Sequence, residues 1–258
     1  MWYYFLFFSL NAFALDSLVQ GSYYKWKKID LSPIMDSSFD NWLHPRWQRG
    51  FATDPSTPAR IYIWISRTLY VSNNNGLDWT PIYYENKANF CGLLKLTVDS
   101  RGNIYLLEKL LNGYYVALYV SKDHGKTFSK IYPQNSDYTV ATTAADIALG
   151  YNDSVYLFLN SGNSYKSAIY KSTDEGNSWT QITDISTLED SNSIKHLIAS
   201  ETSSGKLLLV RGSHLLLSTN DGQSWQDICA THYAIRDVQF DPNDDNKHYA
   251  SIPIFSVF

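Results

Sequence analysis

Ser172-Thr173-Asp174-Glu175-Gly176-Asn177-Ser178-Trp179 is the clearest copy of an eight-residue turn that recurs along the chain. Four copies, called here the boxed turns, begin at Ser72, Ser121, Ser172 and Ser218, at spacings of 49, 51 and 46 residues. A near-constant period of this length is typical of stacked supersecondary units. The remaining positions that define the pattern are Asn74, Gly76, Asp78 and Trp79; Asp123, Gly125, Thr127 and Phe128; Asp174, Gly176, Ser178 and Trp179; and Asn220, Gly222, Ser224 and Trp225.

The residue types of the boxed turns indicate a structural role. An Asp or Asn at the third position can accept hydrogen bonds from backbone N–H groups of its own loop, and the glycine can adopt a positive φ. The serine and threonine hydroxyls can close the loop, and the aromatic residue can wedge between neighbouring sheets. We therefore expect each boxed turn to stabilise the fold rather than to catalyse a reaction or bind a metal.

The segments around each boxed turn predict four antiparallel strands per repeat. Apolar second strands begin at Ile61, Ile104, Val155 and Leu207, and each follows a segment rich in turn-forming residues. A third strand leads into the boxed turn and a fourth leaves it. Four-stranded units at this period predict an all-β fold, a β-propeller. The predicted blades span residues 47–85, 91–132, 142–185 and 194–228, within a single domain covering residues 15–258.

The last residues of the chain predict a fifth blade. Val238-Gln239-Phe240-Asp241-Pro242 resembles the opening of the first repeat, and Val257-Phe258 holds the place of a third strand. An N-terminal strand within residues 23–30 could complete a blade over 235–258 and remove an open sheet edge. Two interpretations remain: a five-bladed ring closed in this way, or part of a larger, incomplete ring. We favour the incomplete ring because the sequence stops within a repeat.

The boxed turns resemble the Asp-box, or bacterial neuraminidase repeat, of sialidases, xyloglucan-active glycosidases, sortilin-type receptors and photosystem assembly factors. The resemblance covers roughly residues 47 to 258. It implies a propeller whose boxes lie between the third and fourth strands, on the face opposite the ligand site. Asn74 and Asn220 depart from the usual aspartate, and Asp78 departs from the usual threonine. Because this superfamily contains enzymes, receptors and assembly factors, the resemblance predicts the fold rather than an activity.

The sequence lacks a clear match to sialidase chemistry. That mechanism needs an arginine cluster, a Tyr paired with a Glu and an acidic Asp. The family's Arg-Ile-Pro motif has its nearest counterpart in Arg60-Ile61-Tyr62, which lacks the proline and falls in a predicted second strand. We assign no catalytic residue. A glycoside hydrolase that uses two carboxylates, sialidase-like or active on β-glucans, remains an alternative.

Loops at the predicted ligand face combine aromatic and charged residues, which suits a glycan or a peptide. The candidate ligand-binding residues are Trp42, His44, Arg46, Glu85, Tyr138, Asp190, His232, Tyr233 and Arg236.

Composition excludes several classes of function. The net charge of −4 leaves no basic stripe for nucleic acid. The histidines and the two cysteines, Cys91 and Cys229, lack metal-ligand spacing, and no phosphate loop or dinucleotide fingerprint is present. We therefore expect no metal and no cofactor.

The first 14 residues, MWYYFLFFSLNAFA, are apolar and end in the small-x-small pattern of a signal-peptidase site. They predict a signal peptide and an exported mature chain without a membrane span. The alternatives for this segment are a misplaced start codon or an N-terminal strand. The combined expectation is an exported, non-catalytic propeller that binds a carbohydrate or a protein through the loops between its blades. The alternatives are a glycoside hydrolase, an assembly factor, or a truncated gene product without independent activity.

Overall fold

The computed structural model describes residues 12–15, 26–29, 31, 49–65, 67–110, 115–132, 144–160, 168–184 and 194–252. Within these ranges the chain forms twenty β-strands, one 3-10 turn at Tyr151–Asp153 and no α-helix. The described residues contain no helix of the length and apolarity that crossing a membrane requires.

Four sheets contain four antiparallel strands each, in which chain neighbours are also sheet neighbours. The first sheet consists of β3 (Arg49–Thr53), β4 (Ile61–Ile65), β5 (Thr68–Ser72) and β6 (Thr80–Tyr84). The second consists of β7 (Phe90–Val98), β8 (Ile104–Leu110), β9 (Tyr115–Ser121) and β10 (Ser129–Tyr132). The third consists of β11 (Ala144–Gly150), β12 (Ser154–Asn160), β13 (Ala168–Ser172) and β14 (Thr180–Asp184). The fourth consists of β15 (Ile194–Ala199), β16 (Leu207–Arg211), β17 (His214–Ser218) and β18 (Gln226–Ala230). The predicted four-stranded antiparallel repeats are confirmed.

Two further sheets have two strands each. β1 (Ala12–Leu15) pairs with β2 (Trp26–Ile29), and β19 (Asp237–Phe240) pairs with β20 (His248–Ser251). The predicted closure of the last blade depends on Val257 and Phe258, which lie outside the described residues. The closure therefore stays a prediction.

The chain divides into two compact units. One comprises Met1–Ala88, Leu96–Ile104 and Ser121–Phe128, and the other comprises Asn89–Lys95, Tyr105–Val120 and Ser129–Phe258. In the second unit, apolar clusters lie between consecutive sheets. One cluster joins Tyr156 and Phe158 of β12 to Leu197 of β15 and Leu207 of β16. The sheets are thus held together by side chains packed from facing surfaces.

Strand position within a sheet explains the apolar runs of the sequence. Every residue of β4 and of β12 is buried, so both faces of these second strands need apolar side chains. Fourth strands such as β6 and β18 are largely exposed and have mixed composition. This difference is why the second strands are the easiest to recognise in the sequence.

The boxed turns share one hydrogen-bond pattern. In each turn the serine Oγ accepts a bond of 2.8 Å from the glycine N–H, and it donates to the Oδ1 atom of the Asp or Asn. The same Oδ1 accepts from the backbone N–H of the seventh box residue at 2.9 to 3.0 Å. The local hydrogen bonding predicted for the boxed turns is therefore present in all four copies.

The second, third and fourth boxed turns also contact the fourth strand of the preceding sheet. The Gly125 φ is +90°, and a Cβ atom there would lie 2.5 Å from Ile82 Cδ1 on β6. The Phe128 ring lies 4.6 Å from the Tyr83 ring of the same strand. In the second unit, Trp179 Nε1 donates to the Ile131 carbonyl of β10 at 3.1 Å. These turns therefore pack on the fourth strand that precedes them, and in the second unit the Trp179 contact joins the third sheet to the second.

Replacing the boxed aspartate should destabilise the fold. Asp174→Ala removes the acceptors of Ser172 Oγ, Ser178 N–H and Ser178 Oγ. We expect a loss of about 1 to 2 kcal/mol in the free energy of unfolding, measured by urea denaturation. Asp174→Asn is the matched control, because asparagine already serves at Asn74 and Asn220, and it should retain most of the stability. An alanine variant as stable as the wild type would contradict this role.

Acid should weaken the two aspartate boxes selectively. Hydrogen bonds from Thr127 and Ser178 lower the pKa of Asp123 and of Asp174 to about 2. A carboxyl group with a lower pKa in the folded chain stabilises it fully above about pH 4, and this contribution is lost as the pH falls towards 2. The double variant Asp123→Asn, Asp174→Asn should therefore lose stability less steeply between about pH 4 and pH 2. Equal slopes for the variant and the wild type, measured by denaturation at each pH, would refute this.

Candidate functional site

The first strands of successive sheets carry one corresponding position, defined by the turn that follows. Four of the turns begin at Asp54, Asp99, Ser200 and Asp241, whose N–H groups bond to the carbonyls of Arg60, Asn103, Lys206 and Lys247. In the third sheet the corresponding residue is Gly150, which pairs with Ser154. Four residues before these positions stand Gly50, Lys95, Asp146, His196 and Asp237. In chain order, this position of the first strand is thus occupied by Gly, Lys, Asp, His and Asp.

Strand register confirms this correspondence where pairing is defined. Gly50 pairs with Trp64, Asp146 with Phe158, and His196 with Val210. Each of these partners is the fourth residue of its aligned second-strand segment. The polar side chains therefore occur at one repeated place in the fold, which we call the first-strand level.

Asp146 connects three sheets at this level. Its Oδ1 atom accepts hydrogen bonds from Lys95 Nζ and from the Ile147 N–H, each at 2.8 Å. Its Oδ2 atom accepts from the Leu197 N–H at 3.1 Å and lies 3.5 Å from His196 Nδ1. Lys95 lies on β7, Asp146 on β11, and His196 and Leu197 on β15. One carboxylate therefore bridges the second, third and fourth sheets.

The charge on Asp146 is maintained despite its burial. Its side chain is only 6% exposed, and burial by itself would raise its pKa. The Lys95 ammonium and the bonds from its neighbours outweigh that effect and hold the Asp146 pKa below its ordinary value. Asp146 is thus an ionised acceptor rather than a proton donor.

The two partners of Asp146 remain accessible. The Lys95 side chain is 38% exposed, and the His196 side chain is 42% exposed. Where the first strand of one sheet packs against the next sheet, the side chains between them are normally uncharged. Lys95 and His196 are therefore polar groups held at fixed positions with part of their surface open.

The structure also describes four of the nine ligand-binding candidates that the sequence suggested. His232, Tyr233 and Arg236 are exposed in the segment that follows β18. Tyr233 is 48% exposed. The candidates outside the described residues are Trp42, His44, Arg46, Tyr138 and Asp190.

Glu85 has a different environment from the other described candidates. Its side chain is fully buried, where its oxygens accept bonds from Tyr83 Oη at 3.1 Å and the Lys87 N–H at 2.7 Å, and it pairs with Lys87 Nζ. Burial opposes its charge, but the bonds from Lys87 and Tyr83 lower the Glu85 pKa overall. Arg67 Nη1 donates to the carbonyls of Glu85 and Lys87. In this geometry Glu85 organises the loop.

Sequence reasoning missed the first-strand level. Lys95 lies within Leu93-Leu94-Lys95-Leu96, and a charged residue in such an apolar strand is unusual. Alignment of the repeats on the turn after the first strand, rather than on the boxed turns, would have placed Lys95, Asp146 and His196 in register. Among the described residues, no group of three or more His, Cys, Asp or Glu side chains is arranged to hold a metal ion.

These sheets define the class of the protein as a β-propeller built of four-stranded antiparallel blades. Within the chain, residues 129–240 match the family model described as the DUF6242 beta propeller domain. No curated protein sequence matches the chain.

Solved structures with a similar fold include enzymes and a protein whose name states no reaction. The Niastella koreensis GH74 enzyme is 20% identical, with a TM-score of 0.53 over 73% of this chain and 25% of its own. The Hadza microbial sialidase Hz136 is 18% identical, with a TM-score of 0.53 over 72% of this chain and 46% of its own. YCF48 from Cyanidioschyzon merolae is 15% identical, with a TM-score of 0.54 over 82% of this chain and 66% of its own. The chain thus spans a quarter to about two thirds of these proteins, and identities this low show a shared fold alone.

Proposed function

We propose that the chain is an exported, non-catalytic β-propeller that binds a carbohydrate or protein ligand through the loops between its blades. The observation that carries this proposal is the segment Thr231–Arg236, which presents exposed His232, Tyr233 and Arg236 side chains on an anchored backbone. A tyrosine ring can stack on a sugar or a peptide, while a guanidinium donates hydrogen bonds to acceptor groups.

Hydrogen bonds anchor this segment at both ends. The Thr231 N–H donates to the Ser213 carbonyl at 2.9 Å, and Thr231 Oγ1 donates to the same carbonyl at 3.1 Å. The Ile235 N–H donates to the Gly212 carbonyl at 2.9 Å, and the Ile235 side chain is buried. Because the backbone is already ordered, binding a ligand there costs little additional conformational entropy.

The electrostatics of Glu85 and Asp146 favour binding over hydrolysis. A glycoside hydrolase needs a carboxylic acid whose pKa is raised so that it can protonate the leaving group. Glu85 and Asp146 have lowered pKa values and accept several hydrogen bonds each. Partial burial and the nearby Asp153 do raise the Glu201 pKa. Glu201, however, lies in the turn between β15 and β16, at the opposite end of the fourth sheet from Thr231–Arg236.

Truncation of the exposed tyrosine should weaken ligand binding without changing the fold. We expect Tyr233→Ala to lose about fivefold in affinity for a glycan identified on an oligosaccharide array, because stacking on an aromatic ring contributes on the order of 1 kcal/mol. The matched control is Tyr151→Ala, which removes a 42% exposed tyrosine from the turn between β11 and β12. Equal binding by both variants would count against this segment as the ligand site.

The absence of hydrolysis is checked on the same purified protein. Incubation with sialosides and β-glucans should release no reducing sugar. Turnover that survives purification to homogeneity would instead favour the glycoside hydrolase alternative. Binding of a protein in place of a glycan would keep the binding function and change the ligand class.

The test of export is whether a host cell cleaves off the first 14 residues. In a host with a secretory pathway, the mature chain should begin at Leu15 and lose the first three residues of β1, because the Ala12-Phe13-Ala14 pattern fits signal-peptidase cleavage. Ala12→Leu, Ala14→Leu should block cleavage. An intact N-terminus on a secreted or cytoplasmic product, measured by mass spectrometry, would contradict the proposal.

A further inference from the structure

We propose that Lys95 and His196, held in place by Asp146, form a binding site for a carboxylate or sulfate group. This inference rests on the proposed binding function, since the anionic group would belong to the bound ligand. The site lies at the first-strand level and is distinct from the Thr231–Arg236 segment.

Asp146 organises the site and has little capacity left to bind a ligand itself. Its two oxygens already face Lys95, the Ile147 and Leu197 N–H groups, and His196. A carboxylate with these partners is saturated with hydrogen bonds. The accessible chemistry therefore belongs to Lys95 and His196.

Both of these residues can present hydrogen-bond donors to an anion. One Lys95 ammonium proton is directed to Asp146, which leaves two further donors on a side chain that is 38% exposed. The Nδ1 atom of His196 is the nitrogen that lies near the carboxylate, so Nε2 is the nitrogen left for a ligand. A protonated imidazole donates from both nitrogens.

The accessible donors at this level favour an anion over a cation. The Asp146 oxygens are already occupied by hydrogen bonds, whereas Lys95 and His196 carry N–H groups on partly exposed side chains. Asp237, at the same level of β19, is the next charged residue along this series, and its Oδ1 accepts the Val238 N–H. The Lys95 ammonium would repel a metal ion from the His196 imidazole, whereas an anion could contact both side chains.

Sheet packing holds the strands that carry the two donors, and both side chains face the same Asp146 carboxylate. Lys95 and His196 lie on strands of different sheets, and the Leu197 N–H bond to Asp146 locks β15 against β11. A ligand therefore meets groups whose positions are set by sheet packing rather than by a loop. Such preorganisation lowers the entropy cost of binding.

Sulfate and glucuronate are the probes for this site, added separately to the full chain at about pH 6, with sodium chloride matching the ionic strength. The imidazole resonances of His196, assigned by comparison with His196→Gln, should move saturably with each anion, while neutral glucose should leave them unchanged. His214 is the internal control. It also has an aspartate partner, with Nδ1 2.5 Å from Asp227 Oδ2, and its side chain is 41% exposed. Its resonances should not follow the same curve.

Two variants test the assignment independently. Lys95→Met and His196→Gln should each weaken binding of the anion about tenfold or more in calorimetric titrations, the scale of a lost charged hydrogen bond. Thermal unfolding of each variant confirms that the chain remains folded.

The outcomes separate this inference from the proposed function. Saturable shifts confined to His196 and lost in Lys95→Met support the site, and a response to one anion but not the other identifies the group it accepts. No response at His196, or an equal response at His214, overturns the anion site even when the protein binds a neutral glycan through Tyr233. A selective response of His196 in a protein that binds no glycan would instead contradict the carbohydrate function and leave the anion site standing.

Discussion

The close contact of the second and third boxed turns with the fourth strand before each of them is the constraint on which the described structure depends. At Gly125 and Gly176 the backbone approaches an isoleucine side chain of the fourth strand before it, so a Cβ atom has no room. A positive φ at the same residues allows the loop to turn towards the Ser-Asp hydrogen bond. Two interactions therefore determine the conformation of the turn: the hydrogen bond within it and the contact with the isoleucine of the preceding strand. An aromatic residue three positions later extends the same contact, as Phe128 does on Tyr83 and Trp179 does on Ile131.

First strands are closely packed as well. In the second unit β11 lies beside β15, although they belong to different sheets, and the side chains at this level must suit a narrow space. A buried carboxylate is costly unless it is paired and hydrogen-bonded. Asp146 meets that condition through Lys95 on one side and the Leu197 N–H on the other. The repeat thus keeps its backbone while one register position varies from Gly50 to Lys95, Asp146, His196 and Asp237.

The sequence predicted the fold well because its signals are local. Every boxed turn combines residues whose hydrogen bonds close within eight positions, and the second strands are apolar on both faces. The site was harder because its contacts are not local. Lys95 and Asp146 are 51 residues apart, and their pairing depends on the packing of two sheets. Glu85 is a related case, because composition marks it as a loop acid, whereas only the geometry shows its burial between Tyr83 and Lys87.

The difference between aspartate and asparagine in the boxed turns explains why function should be sought elsewhere. Asp123 and Asp174 accept a hydrogen bond from the hydroxyl of the seventh box residue, at 2.6 Å in both turns. In the other two turns the direction is reversed, because Asn74 Nδ2 donates to Asp78 Oδ2 and Asn220 Nδ2 donates to Ser224 Oγ. The turn closes in either case, so it requires complementary donors and acceptors rather than a negative charge. Because an amide replaces the carboxylate in two of the four equivalent turns, this position has a structural role that does not require a charge. The first-strand level behaves differently, since there the backbone is kept and the chemistry of the side chain changes at each repeat.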